Sequence, residues 1–333
     1  MLLWLGFIAC TAVIVYSGTR LSRYGDVIAE KTGLGRAWIG VVLMASVTSL
    51  PELVTGITSV TYANVPDIAV GDVLGSCVFN IFILAFLDAF YKPMPISAKA
   101  NPGHVLSAGF GILLLSIIAF SLYAHSHIPS ILWIGAYSLC TLFIYIIAMR
   151  LIFYYEKRQM SQYLQEVAID TQYDDVTTKS AVFHYAINAF FVIIAAAFLP
   201  GIGEGIAEMT GLGQTFVGSI FIAISTSLPE VVVSIAAIKM GAIDLAVGNL
   251  FGSNIFNILI LSLDDFLFIK GPILSFAAPQ HIVSAISAIA MTVIAIIGLT
   301  YRAEKKPFYF MAWDSMGIAA VYIVNLMLLY RMR

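Results

Sequence analysis

Charge is scarce in this chain. Only 11% of its 333 residues are Asp, Glu, Lys or Arg, where a water-soluble domain carries about 25%. So little charge excludes a soluble globular surface, and with 60% hydrophobic residues the exterior must face lipid. No dense Lys/Arg cluster occurs, which excludes a nucleic-acid-binding face. Cysteine is rare too. Cys10, Cys77 and Cys140 lie singly in apolar runs, so neither a disulfide framework nor a thiolate metal centre follows. The histidines His104, His125, His127, His184 and His281 are scattered near predicted interfaces and make no metal cluster. HExxH, a GxGD pair and a Ser/His dyad in a nucleophile context are all missing, which argues against an intramembrane enzyme. No catalytic residue, cofactor-binding residue or obligatory protein partner is expected.

What is present is a series of long apolar runs. A membrane helix needs about 20 such residues, and runs of that kind fall at 2–22, 37–62, 67–89, 104–124 and 129–153, then at 181–200, 214–239, 243–263, 277–301 and 308–330. The apolar N-terminus lacks a positive flank and a cleavage site and is expected to be the first span. Residues 1–153 form a first five-helix half, 154–180 a polar linker and 181–333 a second half. Lys and Arg divide unevenly between alternate loops. Fourteen of the 17 lie on the side of the linker; only Lys270, Arg331 and Arg333 lie opposite. By the positive-inside rule the linker is cytoplasmic, both termini are extracellular, and the protein is a multi-pass protein of the cell membrane. Asp170, Asp174 and Asp175 in the linker fit no EF-hand spacing and are expected to be solvated.

The chain repeats itself. TGLGRAWIGVVLMASVTSLPELVTGITSV at 32–60 aligns with TGLGQTFVGSIFIAISTSLPEVVVSIAAI at 210–238, and DIAVGDVLGSCVFNIFIL at 67–84 with DLAVGNLFGSNIFNILIL at 244–261. Asp26 and Glu30 correspond to Glu204 and Glu208. Five helices is an odd number, so the second copy enters the membrane from the other side. The expected fold is an all-α integral membrane protein of ten transmembrane helices arranged as two inverted-topology five-helix repeats. That architecture belongs to secondary transporters with a midplane site between the repeats.

Each copy carries one carboxylate deep in its second helix, Glu52 and Glu230, where a charge costs on the order of 3 kcal/mol or more. Thr48 and Ser49, and Thr226 and Ser227, precede them by four and three residues and share their helix face. Pro51 and Pro229 supply no amide hydrogen and free the carbonyls of Val47 and Ser225. The third helix adds Ser76 with Asn80, and Ser253 with Asn257. This is a set of hard oxygen ligands suited to Ca2+ and similar cations. Asp72 is unmatched, since Asn249 takes its place. It reads either as an accessory ligand or pathway carboxylate, or as a residue in water at a helix end. Asp88, Asp264, Asp265, Asp26, Glu30, Glu204 and Glu208 are expected at solvated helix termini.

The paired motifs ASVTSLPELVTG and AISTSLPEVVVS, with GDVLGSCVFNI and GNLFGSNIFNI, resemble the alpha repeats of the sodium/calcium exchanger family, within the cation/calcium antiporter superfamily. The resemblance spans nearly the whole chain and is of the prokaryotic type. It implies exchange of Ca2+ for Na+ by alternating access. It also implies ion contacts from Thr48, Ser49, Glu52, Ser76, Asn80, Thr226, Ser227, Glu230, Ser253 and Asn257, with backbone oxygens of Ala45 and Ala223. Two features depart from the family: Asn stands at both 80 and 257, where some members carry one Asp, and the GSN triplet of Gly252–Asn254 reads Gly75-Ser76-Cys77 in the first copy. A Ca2+/H+ exchanger using the same glutamates is the alternative; Leu53 and Val231, at the place of the histidine of many such exchangers, favour sodium. A channel would conduct without a counter-ion.

Overall fold

The computed structural model describes residues 2–92, 94–124, 127, 129–166, 176–210, 225–306 and 311–332. Among them nine helices are long and apolar enough to cross a membrane. In chain order the helices are α1 (Leu2–Thr32), α2 (Arg36–Ala63), α3 (Pro66–Phe90), α4 (His104–Tyr123), α5 (Ala136–Glu166), α6 (Thr178–Thr210), α7 (Leu228–Lys239), α8 (Ile243–Leu267), α9 (His281–Tyr301) and α10 (Trp313–Met332). The shorter α7 belongs to the run expected at 214–239; residues 214–224 of that run lie outside the described residues.

Turn chemistry sets several boundaries. Gly33 (φ 65°) and Gly241 (φ 79°) take the left-handed conformation that closes a helix end without a Cβ penalty. Asn64 does the same after α2, and Pro66 then starts α3, where its missing amide hydrogen costs nothing. Several boundaries differ from the sequence reading. α1 runs ten residues further, to Thr32, because its polar end is held: Arg36 pairs with buried Asp26, with Nη2–Oδ2 at 3.2 Å. α5 starts at Ala136, because residues 130–135 form a small antiparallel hairpin. α5 and α6 also continue as helix into the polar stretch at 154–180, and α6 reaches Thr210 instead of ending at 200.

α8 lies at the centre, with 89% of its most apolar stretch buried, against 17% for α1 and α10. α3 and α8 pack on each other, α3 also on α9 and α10, α8 also on α4 and α5. Each half thus supplies the neighbours that the other half's third helix needs. Outside this core α1 lies alongside α6, joined through Ile14, Ala195, Ala196 and Leu199. Leu5, Ile8, Phe120, Phe143, Phe190 and Met327 point outward, as side chains facing hydrocarbon do.

α2 and α8 cross almost in backbone contact. A Cβ on Gly252 would stand 2.4 Å from the Val41 carbonyl oxygen, and one on Gly40 2.6 Å from that of Leu245. Only glycine permits this approach, and it brings the Glu-bearing helix of one half against the third helix of the other.

The acids expected in water at helix ends are for the most part buried, and the reason is hydrogen bonding. Asp88 accepts from the amides of Ile96 and Ala312, both at 2.9 Å, and pairs with Lys306 Nζ at 3.2 Å. Its repeat counterpart Asp265 accepts from the amides of Ile273 (2.7 Å) and Gly135 (2.8 Å), from Tyr137 Oη (2.7 Å) and from Ser138 Oγ (2.6 Å). Each carboxylate ties the turn after its own helix to the other half. Asp26 and Asp264 are buried as well, and Glu30 is half-buried. The side chains of Glu204 and Glu208, the linker aspartates Asp170, Asp174 and Asp175, and His125 lie outside the described residues.

Candidate functional site: an oxygen-lined centre between the halves

The second helix of each half is interrupted at the same place. At Ser49 (φ −92°, ψ 8°) and at Ser227 (φ −84°, ψ 8°) the backbone leaves helical geometry, and a new helix starts with proline in its first turn. Glu52 and Glu230 sit in those first turns. The missing amide hydrogens of Pro51 and Pro229 create the breaks, and the positive end of each new helix dipole favours a carboxylate.

The two glutamates then meet across the halves. Glu52 Oε1 accepts from Ser76 Oγ at 3.1 Å in its own half and from Ser227 Oγ at 3.2 Å in the other. Glu230 Oε1 accepts from Ser253 Oγ at 3.3 Å and from Ser49 Oγ at 3.1 Å in the same crossed pattern. Ser227 Oγ also lies 3.1 Å from Ser76 Oγ. Every one of these side chains is fully buried. Glu52 Oε2 and Glu230 Oε2 have no hydrogen-bond partner, and neither have Asn80 Oδ1 or the two polar atoms of the Asn257 side chain. Buried polar atoms are almost always paired. Two buried carboxylates, each with a free oxygen and two serine hydroxyls against the other, have the donor chemistry of a hard-cation site.

Of the expected ligands, Ser49, Glu52, Ser76, Ser227, Glu230 and Ser253 are thus joined by hydrogen bonds. Thr48 Oγ donates to Asn249 Oδ1 at 3.2 Å and stands 3.4 Å from Ser253 Oγ. Thr226 Oγ donates to Asp72 Oδ1 at 3.1 Å. The Ala45 carbonyl accepts from the Ser49 amide at 3.0 Å and lies 3.4 Å from Thr48 Oγ. Ala223 lies outside the described residues. Asp72, whose place the sequence left open, is buried beside Thr226 and not in water at a helix end. Among the described residues no three His, Cys, Asp or Glu side chains converge as a metal centre, so the oxygens come mainly from hydroxyls, amides and two carboxylates.

Several residues escaped sequence reasoning. Asn254 Nδ2 donates to the Cys77 carbonyl at 3.0 Å, and Asn80 Nδ2 donates to Asn254 Oδ1 at 3.1 Å. One asparagine thus bridges α3 and α8, which accounts for Cys77 at the counterpart position: a second amide there would face the first. The histidines are not idle at interfaces. His104 Nε2 and the Asn101 amide lie 3.1 Å and 2.6 Å from Asp244 Oδ1. His281 Nε2 and the Ala278 amide lie 2.9 Å and 2.6 Å from Asp67 Oδ1. Each contact fastens the start of a third helix to the other half's fourth helix. The signal was visible in the repeat, whose second window opens on Asp67 in one copy and Asp244 in the other.

A family model described as sodium/calcium exchanger protein matches residues 2–152 and 180–331. Sodium/calcium exchanger MaX1 of Methanosarcina acetivorans is 24% identical over 340 residues, covering 92% of this chain and 93% of that protein. Inner membrane protein YrbG of Escherichia coli is 27% identical over 260 residues, covering 75% and 74%. Among solved structures, the sodium-calcium exchanger NCX_Mj soaked with Na+ and Sr2+ superposes with a TM-score of 0.73 at 22% identity, over 97% of each chain. At that identity the likeness is one of fold.

Proposed function

The chain belongs to the sodium/calcium exchanger family, and from that premise we propose that it exchanges Ca2+ for Na+ by alternating access at the Glu52–Glu230 centre. The observation that carries this reading is the crossed pattern: each glutamate is held by one serine from its own half and one from the other, with its second oxygen unpartnered in a fully buried place. A site built equally from both halves can be opened by moving one part against another.

The charge of the centre supplies the coupling. Two ionised glutamates make −2 in a low-dielectric interior, where stranding uncompensated charge costs several kcal/mol per ion. Empty, the centre resists passing between its outward- and inward-open states. One Ca2+ compensates it, and so do two or more Na+, or two protons. Thr48, Ser49, Ser76, Asn80, Thr226, Ser227, Ser253 and Asn257 then replace the water that a hard cation loses on entry, with carbonyls at Ala45 and Ala223 completing the shell. Sodium entering down its gradient drives calcium out.

This reading includes ten transmembrane helices in two inverted halves, the second helix of the second half running over 214–239. The membrane orientation follows the Lys/Arg distribution: both termini outside, the stretch at 154–180 cytoplasmic. Glu52→Gln and Glu230→Gln are each expected to abolish Ca2+ flux in proteoliposomes while the protein still elutes as a folded species. Full activity in either variant defeats the proposal. Ca2+ uptake driven by a sodium gradient at clamped pH is expected in the parent; uptake that follows only a proton gradient assigns the counter-ion to H+ instead.

A further inference from the structure

The two flanks of the Glu52–Glu230 centre are not alike. On one, Thr48 Oγ donates to Asn249 Oδ1 and Asn249 Nδ2 donates to Ser234 Oγ, both at 3.2 Å. That chain is neutral and uses both ends of the Asn249 amide. Its repeat counterparts are Thr226, Asp72 and Gly56. Thr226 Oγ donates to Asp72 Oδ1 at 3.1 Å, but Gly56 offers no hydroxyl, and Asp72 Oδ2 has no hydrogen-bond partner.

The space that a side chain on Gly56 would occupy is filled from elsewhere. The Asp264 carboxylate of α8 lies so near that a methyl group on Gly56 would overlap it. Asp264 is fully buried, and neither of its oxygens has a hydrogen-bond partner. Its counterpart in the first half is Leu87, so nothing equivalent exists on the opposite flank. One flank is thus neutral and satisfied. The other holds two buried carboxylates with three unpartnered oxygens between them, and Asp72 lies within electrostatic range of both Asp264 and Glu52.

Like charges this deep repel strongly unless something positive stands between them. Asp72 lies one and a half turns into α3, Gly56 in the later part of α2 and Asp264 in the last turn of α8. All three are therefore displaced from the centre toward the face that carries the turns at 64–65 and 268–280. We propose that Asp72 and Asp264 form a second binding site for a calcium-class divalent cation beside Gly56, a station between that face and the centre that has no equivalent on the other side. The proposal rests on the centre being the exchange site, and it makes the protein's two faces unequal in their capture of Ca2+.

The test uses the full chain in lipid nanodiscs and proteoliposomes. With Glu52→Gln and Glu230→Gln combined to disable the centre, 45Ca2+ binding is expected to persist at about one ion per chain and to vanish when Asp264→Asn is added. In the otherwise unaltered protein, Asp264→Asn is expected to raise the half-saturating Ca2+ for exchange about tenfold from the face carrying the 268–280 turn, and less than about twofold from the other. Asp72→Asn, which installs the residue already present at the counterpart position 249, is expected to act on the same face and guards against a folding defect in the first variant. Equal shifts at both faces, no shift at either, or absence of binding in the double Gln protein overturns the proposal. So does a change confined to the pH dependence, which assigns the pair to a shared proton. Should the single Gln variants retain exchange, it is the central reading that fails, and the Asp264→Asn binding difference still judges this site.

Discussion

Replacing Asp265 by alanine tests whether the acids at the helix ends are structural anchors or part of the ion route. The carboxylate accepts four hydrogen bonds in a buried place: the Gly135 and Ile273 amides, Tyr137 Oη and Ser138 Oγ. In Asp265→Ala the two hydroxyls can turn toward other acceptors, but the two backbone amides cannot. Each buried amide left unpaired costs about 1–3 kcal/mol, so the variant should lose about 2–6 kcal/mol of stability. Asn at this position recovers only part, since its NH2 group would face a donor. Chemical denaturation in mixed micelles reads the loss, and 45Ca2+ flux normalised to folded protein reads function. The expected result is a lower denaturation midpoint with near-parental flux per folded molecule. Unchanged stability together with lost flux would refute the reasoning and move Asp265 into the transport path.

Gly252→Ala places a methyl group 2.4 Å from the Val41 carbonyl at the α2–α8 crossing. Overpacking of this kind costs about 1–3 kcal/mol, and the yield of monodisperse protein should fall. Asp67→Ala and Asp244→Ala remove the acceptor from equivalent contacts to His281 and His104. They should lower thermal stability by similar amounts, and a large disparity would show that the repeat's contacts are not energetically matched.

Much of the site was legible in the sequence because duplication repeats its signal. A buried glutamate with Thr-Ser before it and proline beside it is informative once; finding it twice, followed each time by a Ser/Asn pair, singles out a shared centre. Nine spans among the described residues match apolar runs read from the sequence; residues 214–224 of the run at 214–239 and 308–310 of the run at 308–330 lie outside the described residues. The failures have a common origin. Asp88, Asp264 and Asp265 sit at helix ends, where a linear reading assigns water; the fold instead folds loop amides from the other half over Asp88 and Asp265. α1 was read ten residues short because Asp26 and Arg36 look like the end of an apolar run when their pairing is unseen.

By itself the sequence determined that this chain lives in a membrane, that it is built twice, and that each copy carries one carboxylate on a proline-broken helix. Those are local and periodic properties, set by hydrophobic run length, backbone chemistry and self-similarity. Which serine meets which glutamate was decided only by the tertiary structure, because the partners lie as far as 181 residues apart. So was the asymmetry of the flanks: the Asp264 carboxylate packs against Gly56 of the other half, where a side chain would overlap it.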